Sequence, residues 1–68
     1  MDYIERMEQE LGDLLERARK LEKAIDTITT LDREESNMMY TQLYLMGGYI
    51  GILSNRIQYA KKRNLSRR

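Results

Sequence analysis

Sixty-eight residues make one domain at most, near the size at which a single hydrophobic core is barely sufficient, so such a chain usually needs disulfides, a metal or partner subunits. Cysteine and histidine are both absent, which removes disulfides, thiol chemistry, zinc sites and Ser-His-Asp catalysis and leaves oligomerisation as the open route. The net charge of +1 conceals a division: all eleven acids lie at or before Glu35 among six bases, a net of −5, whereas the chain from Ser36 onward carries six bases and no acid, a net of +6.

Two antiparallel helices of opposite charge would attract each other, and a basic half would equally offer a surface to an anion; the charge pattern leaves both readings open. The start, Met1-Asp2-Tyr3-Ile4-Glu5-Arg6, is too acidic and polar for a signal peptide, and with no cysteine a cytoplasmic location is expected. Proline is absent and glycine is confined to Gly12, Gly47, Gly48 and Gly51, so no flexible linker interrupts the chain.

Ile4, Met7, Leu11, Leu14, Ala18, Leu21, Ile25 and Ile28 recur at alternating steps of three and four, the a/d seam of a coiled coil. Asp2–Arg6, Asp13–Arg17 and Glu16–Lys20 supply i,i+4 pairs with the acid on the favourable N-terminal side. A first helix is predicted from about Asp2 to Thr29. Thr29-Thr30-Leu31-Asp32 breaks the periodicity, and Asp32 followed by Glu35 has the form of a capping box opening a second helix. Glu34 and Glu35 suit its start and Lys61, Lys62 and Arg63 its end. That helix is predicted over 33–63, with a basic tail over 64–68.

The second helix has a seam of its own: Met39, Leu43, Met46, Ile50, Leu53, Ile57 and Ala60. It also carries another apolar stripe at seven-residue spacing, Met38, Leu45, Ile52 and Tyr59, about 110° away around the axis. One partner helix cannot cover both, so one stripe should face the first helix and the other a second subunit. Gly47, Gly48 and Gly51 cost about 1 kcal/mol each inside a helix relative to alanine. Gly47 and Gly51 share a face continued by Ser54, which would let another helix backbone, or a ligand, come close.

The stretch from Ser36 to Asn55 holds twenty residues without a charge, yet six are Ser, Asn, Thr or Gln and eight are Met, Leu or Ile, so a membrane span is not expected. Glu5, Glu8, Asp13 and Glu16 have spacings at which carboxylates can pair, but they flank arginines on the solvent side of the seam and read as a solvated face, with no metal implied. The end of the chain, Lys61 to Arg68, carries five positive charges in eight residues and could touch phosphate backbones without reading sequence. No nucleophile–base pair can be named, so neither catalysis nor a cofactor is expected.

The candidate binding residues are Gln42, Tyr49 and Arg56, which recur at seven-residue intervals as a polar row between the two stripes. An amide reads a base or ribose edge, a phenol stacks and hydrogen-bonds, and a guanidinium takes a phosphate bidentately. Tyr40, Tyr44 and Asn55 lie on other faces and could line a pocket completed by a neighbouring subunit. The same polar side chains could instead simply rim a helix interface, where Tyr and Arg are enriched.

Tyr3-Ile4-Glu5-Arg6-Met7, Leu21-Glu22-Lys23 and Gln42-Leu43…Met46…Tyr49…Leu53…Arg56-Ile57 together resemble a family of short phage proteins known from crAss-like and many other phages. Gly47, Gly48 and Gly51 depart from that family's pattern, which has helix formers there. In outline such oligomeric helical hairpins are similar to viral sponge proteins that sequester cyclic nucleotides or ADP-ribose derivatives made by bacterial defences such as Thoeris and CBASS. The resemblance implies a nucleotide pocket at a subunit interface, with Gln42, Tyr49 and Arg56 at the matching positions, in the cytoplasm of an infected bacterium. The expectation is an all-α protein: an antiparallel two-helix hairpin, one domain over 1–68, assembling as a homo-oligomeric bundle that captures a small nucleotide-like ligand without turnover. The alternatives are a hairpin that docks onto a protein partner, and non-specific nucleic-acid binding through the basic half.

Overall fold

In a computed structural model, which describes residues 2–28 and 30–66, the chain forms two helices, α1 over Tyr3–Thr27 and α2 over Arg33–Ser66, and no strand among the described residues. Each helix opens on an aspartate. Asp2 has extended backbone (φ −81, ψ 176) and its Oδ1 accepts from the Glu5 N–H at 2.7 Å. Asp32 Oδ1 accepts from the Glu35 N–H at 2.7 Å, while its carbonyl takes the Ser36 N–H at 3.0 Å. Both satisfy backbone donors that the first helical turn leaves without a partner. The cap expected at Asp32 is in place. Asp2, expected as the first helical residue, stands just outside α1 as its cap.

α1 stops at Thr27, short of Thr29, which lies outside the described residues. At Ile28 the backbone turns extended (φ −84, ψ 111), although its N–H still reaches the Ala24 carbonyl at 2.9 Å. Thr27, Ile28, Thr29 and Thr30 are all β-branched, which restricts their side chains in a helix and weakens its continuation. At the other end, α2 runs on through Ser66, beyond the expected stop at Arg63. No glycine or proline is there to end it, and basic side chains favour a helix C-terminus. Of the basic tail, Arg67 and Arg68 lie outside the described residues.

The two seams meet. Ile4 to Ile25 on α1 and Met39 to Ala60 on α2 are all buried or half-buried; Ile28, beyond the last helical residue, is exposed. Met7, Leu53 and Ile57 form the core, with Ile4, Leu11 and Ala60 packed against them, and Leu53 is 0% exposed. Residues early in α1 meet residues late in α2: Arg56 bonds Tyr3, Lys61 bonds Glu8 and Tyr49 bonds Glu10. The helices are therefore antiparallel, in a rod of 55 × 18 × 13 Å. The buried core residues cluster towards the open end of the hairpin rather than at its turn.

The second stripe of α2, Met38, Leu45, Ile52 and Tyr59, faces solvent along its whole length. A Cβ added at Gly12, Gly47, Gly48 or Gly51 would meet nothing within 4 Å, so no close approach inside the hairpin requires any of these glycines. Of the expected i,i+4 pairs, Glu16–Lys20 forms at 3.9 Å, but Arg19 takes the shorter contact to Glu16 at 2.7 Å; at this exposure such pairs add little stability. No helix among the described residues is long and apolar enough to cross a membrane.

Leu53→Ala should lower stability by about 2–5 kcal/mol, the cost of truncating a fully buried leucine. Gly12→Ala, which adds a methyl into open space on a helix, should raise it by about 1 kcal/mol. Thermal denaturation followed by circular dichroism reads both, and a Leu53→Ala protein melting with the parent would place the core elsewhere.

Candidate ligand-binding site

α2 outlasts α1 at the open end of the hairpin. Arg56 lies against Tyr3 in the first turn of α1, so the last turns of α2 continue past the point where α1 begins. The step between them is a hollow of about 480 Å³, open on one side to solvent. Its apolar part is formed by Ile4 and Ala60, continuous with the core. The rest of its wall is polar: the phenols of Tyr3 and Tyr59, the guanidiniums of Arg56 and Arg63, the carboxamides of Asn55 and Asn64, and Asp2.

Helical spacing explains why α2 contributes so many of these. Arg56, Tyr59 and Arg63 follow steps of three and four and so share one face. Tyr3 arrives from the other helix, held there by the cap at Asp2 and the seam beneath it. Arg56 Nη2 donates to the Tyr3 hydroxyl at 2.9 Å. That bond, foremost, raises the guanidinium pKa above its ordinary value, with the Glu10 and Tyr49 side chains adding to the effect, so Arg56 is a permanent cation. Its hydrogen-bond partner in the hairpin is a phenol hydroxyl rather than a carboxylate. A guanidinium has five N–H donors, so most remain for an anion.

Tyr49 sits one heptad nearer the turn and does not line the hollow. Its hydroxyl donates to Glu10 Oε1 across the helix pair. The Glu10 carboxylate, chiefly through that bond, raises the Tyr49 pKa and keeps the phenol protonated. Gln42 is a further heptad away, about 21 Å from Arg56 at 1.5 Å per residue. Tyr40 and Tyr44 are exposed and lie outside the hollow as well. Of the six candidate residues, the hairpin therefore brings Arg56 and Asn55 to one cavity and leaves Gln42, Tyr49, Tyr40 and Tyr44 away from it.

Asp2, Tyr3 and Tyr59 are not among the binding residues read from the sequence, and Arg63 and Asn64 are there only as part of the basic end able to touch phosphate. The i,i+4 relation of Tyr59 and Arg63, one turn beyond Arg56, was a legible signal. The role of Tyr3 was not, because it depends on the register between the helices. A smaller hollow of about 270 Å³ lies between the helices beside Leu11, Leu15 and Ile57, with the Glu8–Lys61 ion pair (3.1 Å) at its edge. The carboxylates that could have paired with one another instead meet cations, Glu8 at Lys61 and Glu16 at Arg19. Among the described residues no group of three or more Asp, Glu, His or Cys could hold a metal ion.

A raised tyrosine pKa favours the folded state at lower pH, and its contribution is lost as pH rises through the raised folded value. Glu10→Gln, which removes the carboxylate, should move the Tyr49 titration down towards the ordinary phenol value. An NMR titration of the Tyr49 ring reads it, and an unchanged midpoint would mean the cross-helix bond does not form in solution.

The family model described as Sequestin matches residues 1–59, and the chain belongs to the Sequestin family. The match takes in Tyr3, Asn55, Arg56 and Tyr59 and ends before Arg63 and Asn64. No curated protein and no solved structure matches the chain.

Proposed function

We propose that this member of the Sequestin family captures a nucleotide-derived immune signalling molecule, a cyclic nucleotide or an ADP-ribose derivative, and holds it as a homo-oligomer without turnover. The observation that carries this reading is the convergence of two guanidiniums, two phenols and two carboxamides on one hollow of about 480 Å³. Such a volume falls within the usual range for small-molecule sites. Arg56 and Arg63 meet phosphate, the rings of Tyr3 and Tyr59 offer faces to a base, and Asn55 and Asn64 both donate and accept towards base or ribose edges. Asp2 already accepts the Glu5 N–H and keeps acceptor capacity for a ribose hydroxyl or an exocyclic amine.

Capture fits the lining of the hollow, whose Arg, Tyr and Asn side chains are of the kinds that bind phosphate, base and ribose. The family's description, Sequestin, supports the same reading. The resemblance to short phage proteins supports an action in the cytoplasm of an infected bacterium, where binding the signal would withdraw it from its receptor. Gln42 and Tyr49 remain part of the proposed site as residues of the polar row, reached by ligand once subunits assemble. The exposed stripe of α2 favours a second reading, in which the hairpin docks onto another protein.

Arg56→Ala should reduce affinity by about 2 kcal/mol or more, because a bound phosphate would lose its charge-assisted partner, while helicity is retained. Calorimetry against cyclic nucleotides, cyclic dinucleotides and ADP-ribose derivatives measures this, with chromatography of the ligand recovered after heating. Absence of binding across the panel would favour protein docking, and a cleaved product would overturn capture without turnover.

A further inference from the structure

The hairpin leaves one apolar face of α2 uncovered: Met38 is 62% exposed, Leu45 65%, Ile52 57% and Tyr59 64%. At about 100° per residue, Glu34, Thr41, Gly48, Arg56 and Arg63 lie on or beside the same face, Arg56 at its edge towards α1, so the surface begins on an acid, ends on a base and passes a glycine near its middle. The order is palindromic. Glu34 and Arg63 are equally far from the midpoint between Gly48 and Tyr49, as are Met38 and Tyr59, and Leu45 and Ile52. We propose that α2 pairs antiparallel with α2 of a second copy about a two-fold axis at that midpoint, bringing Gln42 of each chain beside Arg56 of the other; the shared site rests on the nucleotide-capture reading, the pairing does not.

Three observations select a second copy, and this direction of pairing, for that face. In the antiparallel register each Glu34 stands beside the partner's Arg63, whose five N–H donors leave some for the hollow, whereas a parallel pair would set Glu34 on Glu34 and Arg63 on Arg63. The apolar layers match in the same register, Met38 on the partner's Tyr59 and Leu45 on the partner's Ile52. Gly48 falls at the crossing, where the lack of a side chain lets two helix backbones approach closely, and nothing within the hairpin accounts for it, since an added Cβ there meets nothing within 4 Å. A face that is complementary to itself under a two-fold rotation is what an isologous dimer requires.

The rotation has a consequence for the polar row. A two-fold axis perpendicular to both helices keeps each flank of α2 next to the same flank of its partner. Gln42, Tyr49 and Arg56 occupy one flank, between the dimer face and α1. Within one chain Gln42 and Arg56 are two heptads apart. In the dimer, Gln42 lies opposite the partner's Arg56, and the two Tyr49 side chains lie beside each other near the axis. Each hollow at an open end of a hairpin then gains Gln42 from the other chain, two equivalent sites per dimer.

The chain has no cysteine, so single thiols can be introduced and spin-labelled cleanly. Asn37 and Tyr44 are exposed and lie at nearly the same angle around α2, off the dimer face. In ligand-free protein, labels at Asn37→Cys should be offset between chains by about 35 Å along the axis and labels at Tyr44→Cys by about 14 Å, at 1.5 Å per residue. Equal distances at the two positions would mean a parallel pair, and no inter-chain signal with a mass of 8.1 kDa by light scattering would mean a monomer; either overturns the pairing. The shared site is tested by mixing and co-refolding Gln42→Ala and Arg56→Ala chains, each defective alone, with an ADP-ribose derivative or cyclic dinucleotide that the parent binds. Mixed dimers then carry one intact and one doubly altered site, so about a quarter of all sites should regain parental affinity by random pairing. No recovery would place Gln42 and Arg56 in separate sites. A parent that binds no nucleotide would overturn the capture reading and the shared site with it, while the label distances still decide the pairing.

Discussion

The closure of Leu53 and Ile57 of α2 onto Met7 of α1 governs the rest of the molecule, because a knob buried in a seam sets both the register and the rotation of a helix. With Leu53 and Ile57 turned inward, Arg56 is carried to the side of the seam, within reach of Tyr3. The same register sets Tyr49 opposite Glu10 and Lys61 opposite Glu8, so one cross-helix polar contact follows another along the open end. It also leaves the end of α2 extending beyond the start of α1, and the hollow occupies that step. A one-heptad slip would keep the seam apolar and destroy every one of these contacts. The polar pairs therefore specify the alignment that apolar periodicity alone would leave degenerate.

A helix with two apolar stripes cannot be completed by one neighbour. α1 takes the stripe that includes Leu53, and the stripe of Met38, Leu45, Ile52 and Tyr59 stays in water, at a cost that grows with the area exposed. The glycines point the same way. Three of them in the middle of α2 weaken the helix by about 1 kcal/mol each, and none contacts anything that a methyl group would displace. For a chain with only Met7, Leu53 and Ile57 as its buried core among the described residues, further burial against another surface is the physically available way to offset those costs.

The charge division of the chain has two different outcomes in the hairpin. Lys61 pairs with Glu8 across the hairpin, which is the intramolecular attraction expected of oppositely charged helices. Arg56 behaves differently: its hydrogen bond goes to a phenol, and the neighbouring Arg63 lines the same cavity, so positive charge gathers at the open end. The distinction comes from distance. Lys61 has a carboxylate opposite it at the imposed register, and Arg56 has Tyr3.

The sequence by itself determined the elements. The a/d seam from Ile4 to Ile25, the seam from Met39 to Ala60 and the Asp32 cap all follow from spacing, because side chains three and four residues apart share a helix face whatever that face packs against. Local chemistry also carried the second stripe and the inclusion of Arg56 and Asn55 among the binding candidates. What only the tertiary structure decided was which stripe faced α1 and which residues of the other helix stood opposite. Either stripe of α2 could have been chosen on apolar content, and the choice rests on how whole side chains interlock across the seam. Tyr3 joined Arg56, and Gln42 was separated from it, for the same reason: helical periodicity fixes neighbours within an element, whereas contacts between elements depend on a register that no single helix encodes.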